Sequence, residues 1–233
     1  CFSVSPAEAT AIDPQQRLLL EHAHMASHAA GARRQAFDGV LTGVFVGITS
    51  TEWGLVPRES SVYGIGGVGH CFAAGRVSYI FALQGPCVAY DTACSSSLVA
   101  SHASLRALQR DECEVALLCG VNVMLVPSVP LLYAVAQITS SQGRSFTFDK
   151  RANGFGRGEA CGTCLLDVAD MNLPTACVMG AAVRQDGRSA SLTAPNGQAQ
   201  RTLLHAADVD AGTDRRCLNE LHGTGTKLGD PIE

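Results

Sequence analysis

Apolar positions along this 233-residue chain fall in short blocks separated by polar, glycine-containing stretches. Thr42 to Ile48, rich in Val, Phe and Ile, reads as a strand buried on both faces. Cys87 to Tyr90 and Glu114 to Val121 read as buried strands too, and Glu159 to Val168, Cys177 to Val183 and Cys217 to Leu221 are further strand-like runs. Helical patterns lie between them. Asp13-Pro14 offers an N-cap aspartate and a proline at the first helical position, followed by apolar Leu18, Leu19, Met25 and Ala26 and a stop at Gly31. His70 to Leu83, Ser96 to Gln109 (with Leu98, Leu105 and Leu108 on one stripe), Ser128 to Thr139 and Gln198 to Asp208 complete the helices. Residues 50–69 form a loop, and a second loop carries Gly143, Gly154, Gly156 and Gly158. Helices alternating with buried strands, without internal repeats or a low-complexity linker, predict an α/β layered fold.

Length allows one large domain or two small ones with a sizeable core. Hydrophobic residues make up 46% and charged residues 16%, so much of the chain is expected inside. The formal net charge is −4 and no basic stripe exists, which argues against nucleic acid as the main partner. No apolar run approaches the roughly 20 residues that span a bilayer, and neither end resembles a signal peptide. Ten cysteines, spread through apolar stretches of a chain this long, suit a reduced cytoplasmic protein better than a disulfide framework. The first residues read as mid-fold and the last as a loop, so the sequence is expected to be part of a longer polypeptide.

Cys94 stands out. It sits in Asp91-Thr-Ala-Cys-Ser-Ser-Ser97, at a sharp turn between a strand and a helix. Such a turn lifts the thiol towards backbone N–H groups and the positive end of a helix dipole, which favours a thiolate nucleophile. The dipole contributes about 0.3–1 kcal/mol, whereas one pKa unit is worth about 1.36, so a second activating group is needed. His222 in His-Gly-Thr-Gly-Thr226 is the candidate, with Thr224 and Thr226 as hydroxyls for a polar substrate arm. A buried structural thiol is the plain alternative for Cys94, and capping accounts for Ser95, Ser96 and Ser97. His22, His24, His28, His102 and His205 fall on predicted helices, where surface or core roles are the default. Gly64-Ile-Gly-Gly-Val-Gly69 matches a dinucleotide fingerprint in letters only, since no buried strand precedes it. Cys161-Gly-Thr-Cys164 lies in a strand-like run, where residues three apart face opposite sides, and packing explains it. His24 and His28 share a helix face without a third ligand, so no metal is expected.

These motifs, in this order, resemble the ketosynthase (β-ketoacyl synthase) domain of type I polyketide and fatty acid synthases, within the thiolase-like superfamily. The matching stretches include Asp13 to Glu21, Gly43 to Gly47, Gly75 to Tyr79, the Cys94 motif, Gly120 to Met124, Asn153 to Glu159, Leu192 to Gly197 and His222 to Glu233. The resemblance implies a thiolase-like αβαβα fold. It places residues 1 to about 165 in the N-terminal half and about 166 to 233 at the start of the C-terminal half. It further implies that Cys94 takes an acyl group from the phosphopantetheine of an acyl carrier protein. His222, with a second histidine, then promotes decarboxylation of a malonyl-type extender, and the resulting carbanion attacks the Cys94 thioester.

Thr224 and Thr226 would bind the pantetheine arm, Glu233 would support the site through the family's lysine, and the Cys94 N–H would be one oxyanion donor. The domain itself is expected to bind no cofactor or metal. Its expected partners are the carrier protein, a second copy with the Cys87–Tyr90 strand near the two-fold axis, and other synthase domains. The second histidine, the lysine and the second oxyanion donor are expected beyond Glu233, so the chain alone is expected to be inactive. Arg184 stands where the family usually has asparagine. Two other functions compete: a truncated, non-catalytic thiolase-like protein that only binds, and a cysteine hydrolase built on a Cys–His pair.

Overall fold

The computed structural model describes residues 2–30, 37, 39–49, 51–168, 175–213 and 218–233. Backbone contacts divide the chain into two compact units, one of Cys1–Val126 with Gly158–Pro174, the other of Pro127–Arg157 with Thr175–Glu233.

The first unit is built on a four-stranded sheet of β1 (Thr42–Ile48), β2 (Cys87–Tyr90), β3 (Val115–Asn122) and β4 (Ala160–Asp167), in the order β2-β1-β3-β4. β1 runs parallel to both neighbours, and β4 pairs antiparallel with β3. Two more elements precede β1: α1 (Pro6–Ala11) and α2 (Pro14–Ala29). α3 (Gly64–Gly67) and α4 (His70–Phe81) lie between β1 and β2, and α5 (Ser96–Gln109) joins β2 to β3. Every residue of β1 is buried, as the unbroken apolar run predicts. Its alternate side chains divide the core. Val44, Val46 and Ile48 pack with Leu117, Cys119 and Val121 against Leu19, Leu20 and Ala23 of α2 and Ala73, Ala74 and Val77 of α4. Phe45 points the other way, into a smaller cluster with Ala100, Ala107 and Leu108 of α5 and with Ala116.

Asp13 caps α2 through a 2.8 Å bond from the Gln15 N–H to its carboxylate, with Pro14 at the first helical position. The Asp13 carboxyl is buried, and desolvation raises its pKa above the usual carboxylate range. Within α2 the buried apolar residues are Leu19, Leu20 and Ala23, whereas Met25 is 62% exposed. The expected stop at Gly31 lies outside the described residues. α4 ends at Phe81, before the expected Leu83, because Ala82 turns left-handed at φ 56°. The loop expected over residues 50–69 contains a 3₁₀ turn at Glu52–Leu55 and α3. Gly67 of the fingerprint-like run lies so close to the Ala11 carbonyl that no side chain fits there, which explains the glycine without a nucleotide.

Two expectations for this unit need correction. β2 is a strand but not a buried one: it lies at the sheet edge, with Cys87 and Val88 exposed and Ala89 and Tyr90 half-buried. The stripe that α5 buries is Ser96, Ala100, Ser104, Ala107 and Leu108, while Leu98 is 73% exposed. Small residues line the face that approaches the sheet. Gly47 and Gly120 face the same spot, and a side chain on either would meet Ser97.

The second unit contains α6 (Ser128–Val135) and α7 (Gly197–Ala211). α6 stops four residues before Thr139, because Gln137 turns left-handed at φ 57° and Thr139 instead bridges to Phe155. Asn196 caps α7, its side chain accepting the N–H groups of Gln198 and Ala199. The strand expected over 177–183 is absent: Gly180 lies against Ala211, and the Ala181 N–H donates to the Asp210 carboxylate at 2.8 Å. Residues 218–221 are not a strand either, and Cys217 lies outside the described residues.

Candidate active site

The Cys94 turn is local chemistry read out faithfully. β2 ends at Tyr90, a 3₁₀ turn covers Ala93–Ser95, and α5 starts at Ser96. Ala93 adopts φ 53°, the left-handed region that costs a residue with a Cβ. That reversal lets the chain pass from strand to helix in a few residues and leaves Cys94 exposed at the turn. The serines brace it. Ser95 Oγ donates to the Thr92 carbonyl at 2.9 Å, and Ser96 Oγ accepts the Thr92 N–H at 2.8 Å. Asp91 accepts the Ala93 N–H at 3.3 Å through one carboxylate oxygen, while its other oxygen lies 4.0 Å from His70 Nδ1. The expected capping is not what these serines do: the Ser95 side chain caps no N–H of α5, and both hydroxyls instead hold the Thr92 backbone, with the Cys94 thiol exposed beside them.

Two further features hold the loop at the carboxyl end of the sheet. Glu52 is buried, and one of its oxygens accepts the N–H groups of Leu125 and Val126 at 2.7 and 2.9 Å. Glu159 accepts the Met124 N–H at 2.7 Å. Neither carboxylate follows from a local pattern, since each reaches across more than thirty residues.

The remaining sequence-selected residues gather in the second unit. His222 is exposed. Gly223 and Gly225 follow it with φ 58° and 64°, a conformation that suits glycine. Glu233 Oε2 accepts the Gly223 N–H at 2.8 Å, and Thr147 Oγ1 donates to the Gly223 carbonyl at 2.5 Å, so the peptides on both sides of Gly223 are held. The Thr224 and Thr226 hydroxyls are 3.1 Å apart, and Thr226 Oγ1 also accepts the Gly229 N–H at 3.0 Å. If Thr226 donates to Thr224, the Thr224 proton is left to donate to a ligand.

Sequence reasoning missed Asp230, whose two oxygens accept the Thr226 N–H at 3.2 Å and the Phe148 N–H at 2.7 Å. Cys94 thus belongs to the first unit, and His222, Thr224, Thr226 and Glu233 to the second.

The other cysteines differ from Cys94 in setting. Burial pushes the Cys119 thiol up to about 12 and the Cys161 thiol up to about 11, and it raises Cys113 as well. Cys161 packs against the core while Cys164 is exposed, as alternation along β4 requires. His24 and His28 have ring centroids 6.5 Å apart, and no cluster of three metal-binding side chains occurs among the described residues.

Comparison with known proteins places this arrangement. The N-terminal domain of β-ketoacyl synthases matches residues 1–171, and their C-terminal domain matches residues 175–233. The chain is 42% identical over 243 residues to a phenolphthiocerol/phthiocerol polyketide synthase of Mycobacterium tuberculosis, covering 100% of itself and 13% of that protein. It is 40% identical over 248 residues to a highly reducing polyketide synthase of Penicillium polonicum, covering 10% of it. Among solved structures, the ketosynthase of module 6 of the Bacillus subtilis bacillaene synthase superposes with a TM-score of 0.91 at 34% identity, covering 99% of this chain and 42% of that one. An oxazolomycin ketosynthase domain of Streptomyces albus gives 0.92 at 37%, covering 100% and 42%. The chain therefore spans under half of the solved ketosynthases it matches and a small part of the curated synthases. With both domain types matched in order and the fold shared, it belongs to the β-ketoacyl synthase family, in the thiolase-like fold.

Proposed function

We propose that the chain carries the acyl-accepting centre of a ketosynthase, an acyltransferase that extends an acyl chain by decarboxylative condensation in polyketide or fatty acid synthesis. The observation that carries this reading is the exposed Cys94 thiol at the left-handed turn between β2 and α5, in a chain of this family. The Cys94 thiolate attacks the carbonyl of an acyl group held as a thioester on the phosphopantetheine arm of an acyl carrier protein. The acyl–sulfur bond to the arm breaks, and the arm leaves as its thiolate. Thr224 and Thr226 hydrogen-bond that arm, with Thr226 already oriented by the Gly229 N–H.

In the second half-reaction a malonyl-type extender loses CO₂, and the carbon–carbon electron pair becomes an enolate. His222, with a second histidine, stabilises it. The enolate carbon attacks the Cys94 thioester carbonyl, a carbon–carbon bond forms, and Cys94 departs as thiolate, leaving a β-ketoacyl chain on the carrier. Glu233 supports this loop through the Gly223 N–H. We assign this domain no cofactor or metal of its own.

A homodimer through the exposed edge of β2 fits this reading, because an unpaired edge strand invites a second copy. Sedimentation of the protein tests it, and a strict monomer would refute it. A reducing cytoplasm suits the eight described cysteines, all of them free thiols. None of the described helices is long and apolar enough to cross a membrane.

The deciding experiment incubates the protein with a radiolabelled acyl thioester. Label is expected on Cys94 and absent from Cys94→Ala. Persistent thioester-linked label in that variant would show that another group is the acceptor.

A further inference from the structure

Two hydroxyl groups meet at the carbonyl that precedes Cys94. Thr49, the first residue after β1, places Oγ1 3.0 Å from the Ala93 oxygen and 2.9 Å from Ser96 Oγ. Ser96 Oγ lies 2.7 Å from the same carbonyl oxygen while accepting the Thr92 N–H. Each hydroxyl has one proton, so two protons serve three contacts. Mutual donation is impossible, and every remaining arrangement leaves at least one hydroxyl donating to Ala93.

The two partners differ in reach. Ser96 is three residues from Ala93, so its bond is internal to the turn. Thr49 comes from 44 residues away, at the carboxyl end of β1. Its hydroxyl is therefore a tie between the turn and the fully buried central strand. Ala93 needs such a tie, because φ 53° is a conformation that a residue with a Cβ leaves when nothing holds it. Relaxation to negative φ would swing the next peptide, and with it the Cys94 N–H and the direction of its thiol.

We infer that Thr49 is a positioning residue for Cys94: its hydroxyl pins the Ala93 carbonyl to the end of β1 and keeps the thiol presented at the turn. This rests on Cys94 being the acyl acceptor. The role is distinct from catalysis, since Thr49 acts on Cys94 through Ala93 and Ser96.

The test uses Thr49→Val, which keeps the shape and removes the hydroxyl, and Thr49→Ser, which keeps the hydroxyl. Parent and variants react with iodoacetamide, and mass spectrometry follows Cys94, the exposed Cys164 of β4 and the buried Cys119 in the same digest. The Cys94-to-Cys164 rate ratio should fall about three- to tenfold in Thr49→Val, the worth of one net hydrogen bond, and return to the parent value in Thr49→Ser. Cys119 should stay unmodified throughout. If Cys119 reacts in the valine variant, Thr49→Ala is measured instead, with the same fall expected. An unchanged ratio in a folded variant lacking the hydroxyl overturns the inference, as does a serine variant as slow as the valine one. Loss of folding in both hydroxyl-free variants also overturns it, since Thr49 would then be a structural residue. Failure of acyl loading on a parent Cys94 that alkylates normally sinks the proposed function instead and leaves the Thr49 comparison intact.

Discussion

A Cβ on Gly47 would lie 2.5 Å from the Cα of Ser97, closer than any real side chain approaches backbone. The turn that carries Cys94 sits on the sheet at this contact, and Gly120 meets the Ser97 side chain from the adjacent strand. Gly47→Ala must therefore push α5 outward or distort β1, and neither yields cheaply in a close-packed core. Overpacking of this kind costs typically about 1–3 kcal/mol, and backbone clashes lie at the upper end. Thermal unfolding should show that loss, and Cys94 alkylation should slow in the folded fraction. A variant as stable and reactive as the parent would mean the helix does not rest on Gly47.

The Glu233 carboxylate is the acceptor for the N–H that directly follows His222. Glu233→Ala leaves that N–H without its charged partner, in a half-buried loop where solvent replaces only part of it. A hydrogen bond to a charged group is worth about 1.5–3 kcal/mol when buried, so about 1 kcal/mol of local stability is expected here. Amide exchange at Gly223 should speed up about fivefold, with Glu233→Gln between the two. Unaltered exchange would remove Glu233 from the support of the His222 loop.

Some of this was legible from the sequence and some was not, for physical reasons. The Cys94 turn was legible because its chemistry is contiguous: the strand, the turn and the serines that brace its backbone occupy neighbouring residues. β1 was legible because burial on both faces leaves Thr42, at its first position, as its one polar residue. The α5 face was misread because hydropathy favours Leu98, whereas the helix buries small side chains such as Ala100 and Ser104, and Gly47 and Gly120 leave room for Ser97. β2 looks buried in sequence, yet it is an edge strand with apolar residues exposed. Thr49 and Asp230 escaped notice because Thr49 reaches Ala93, 44 residues away, and Asp230 joins the nearby Thr226 to Phe148, 82 residues away. No window of local pattern contains both ends of such bonds.

Burial sorts the thiols by reactivity. Cys113 and Cys119 are buried and their thiols are held protonated, and Cys161 is half-buried and likewise raised. Only thiolates attack iodoacetamide efficiently. Brief labelling of the folded protein should therefore modify Cys94 and the exposed Cys71, Cys164 and Cys177, and spare the three raised thiols. Early modification of Cys119 would contradict the packing between β3 and the helices.

The same raised thiols give stability a dependence on alkaline pH. A thiol with an ordinary value of 9.0 that stands at about 12 when folded, as at Cys119, keeps its proton in the native state while the unfolded chain loses it. Above about pH 9 the unfolded state therefore binds fewer protons, and unfolding becomes easier as pH rises. The contribution is fully present below 9.0 and declines until the pH reaches about 12 for Cys119 and about 11 for Cys161. The melting temperature should fall steadily across that window. Replacing Cys119 by alanine removes its share of the slope, although the smaller side chain lowers stability at neutral pH by about 1 kcal/mol. An alkaline slope identical in Cys119→Ala and parent would show that the thiol is not held protonated by its burial between the sheet and its helices.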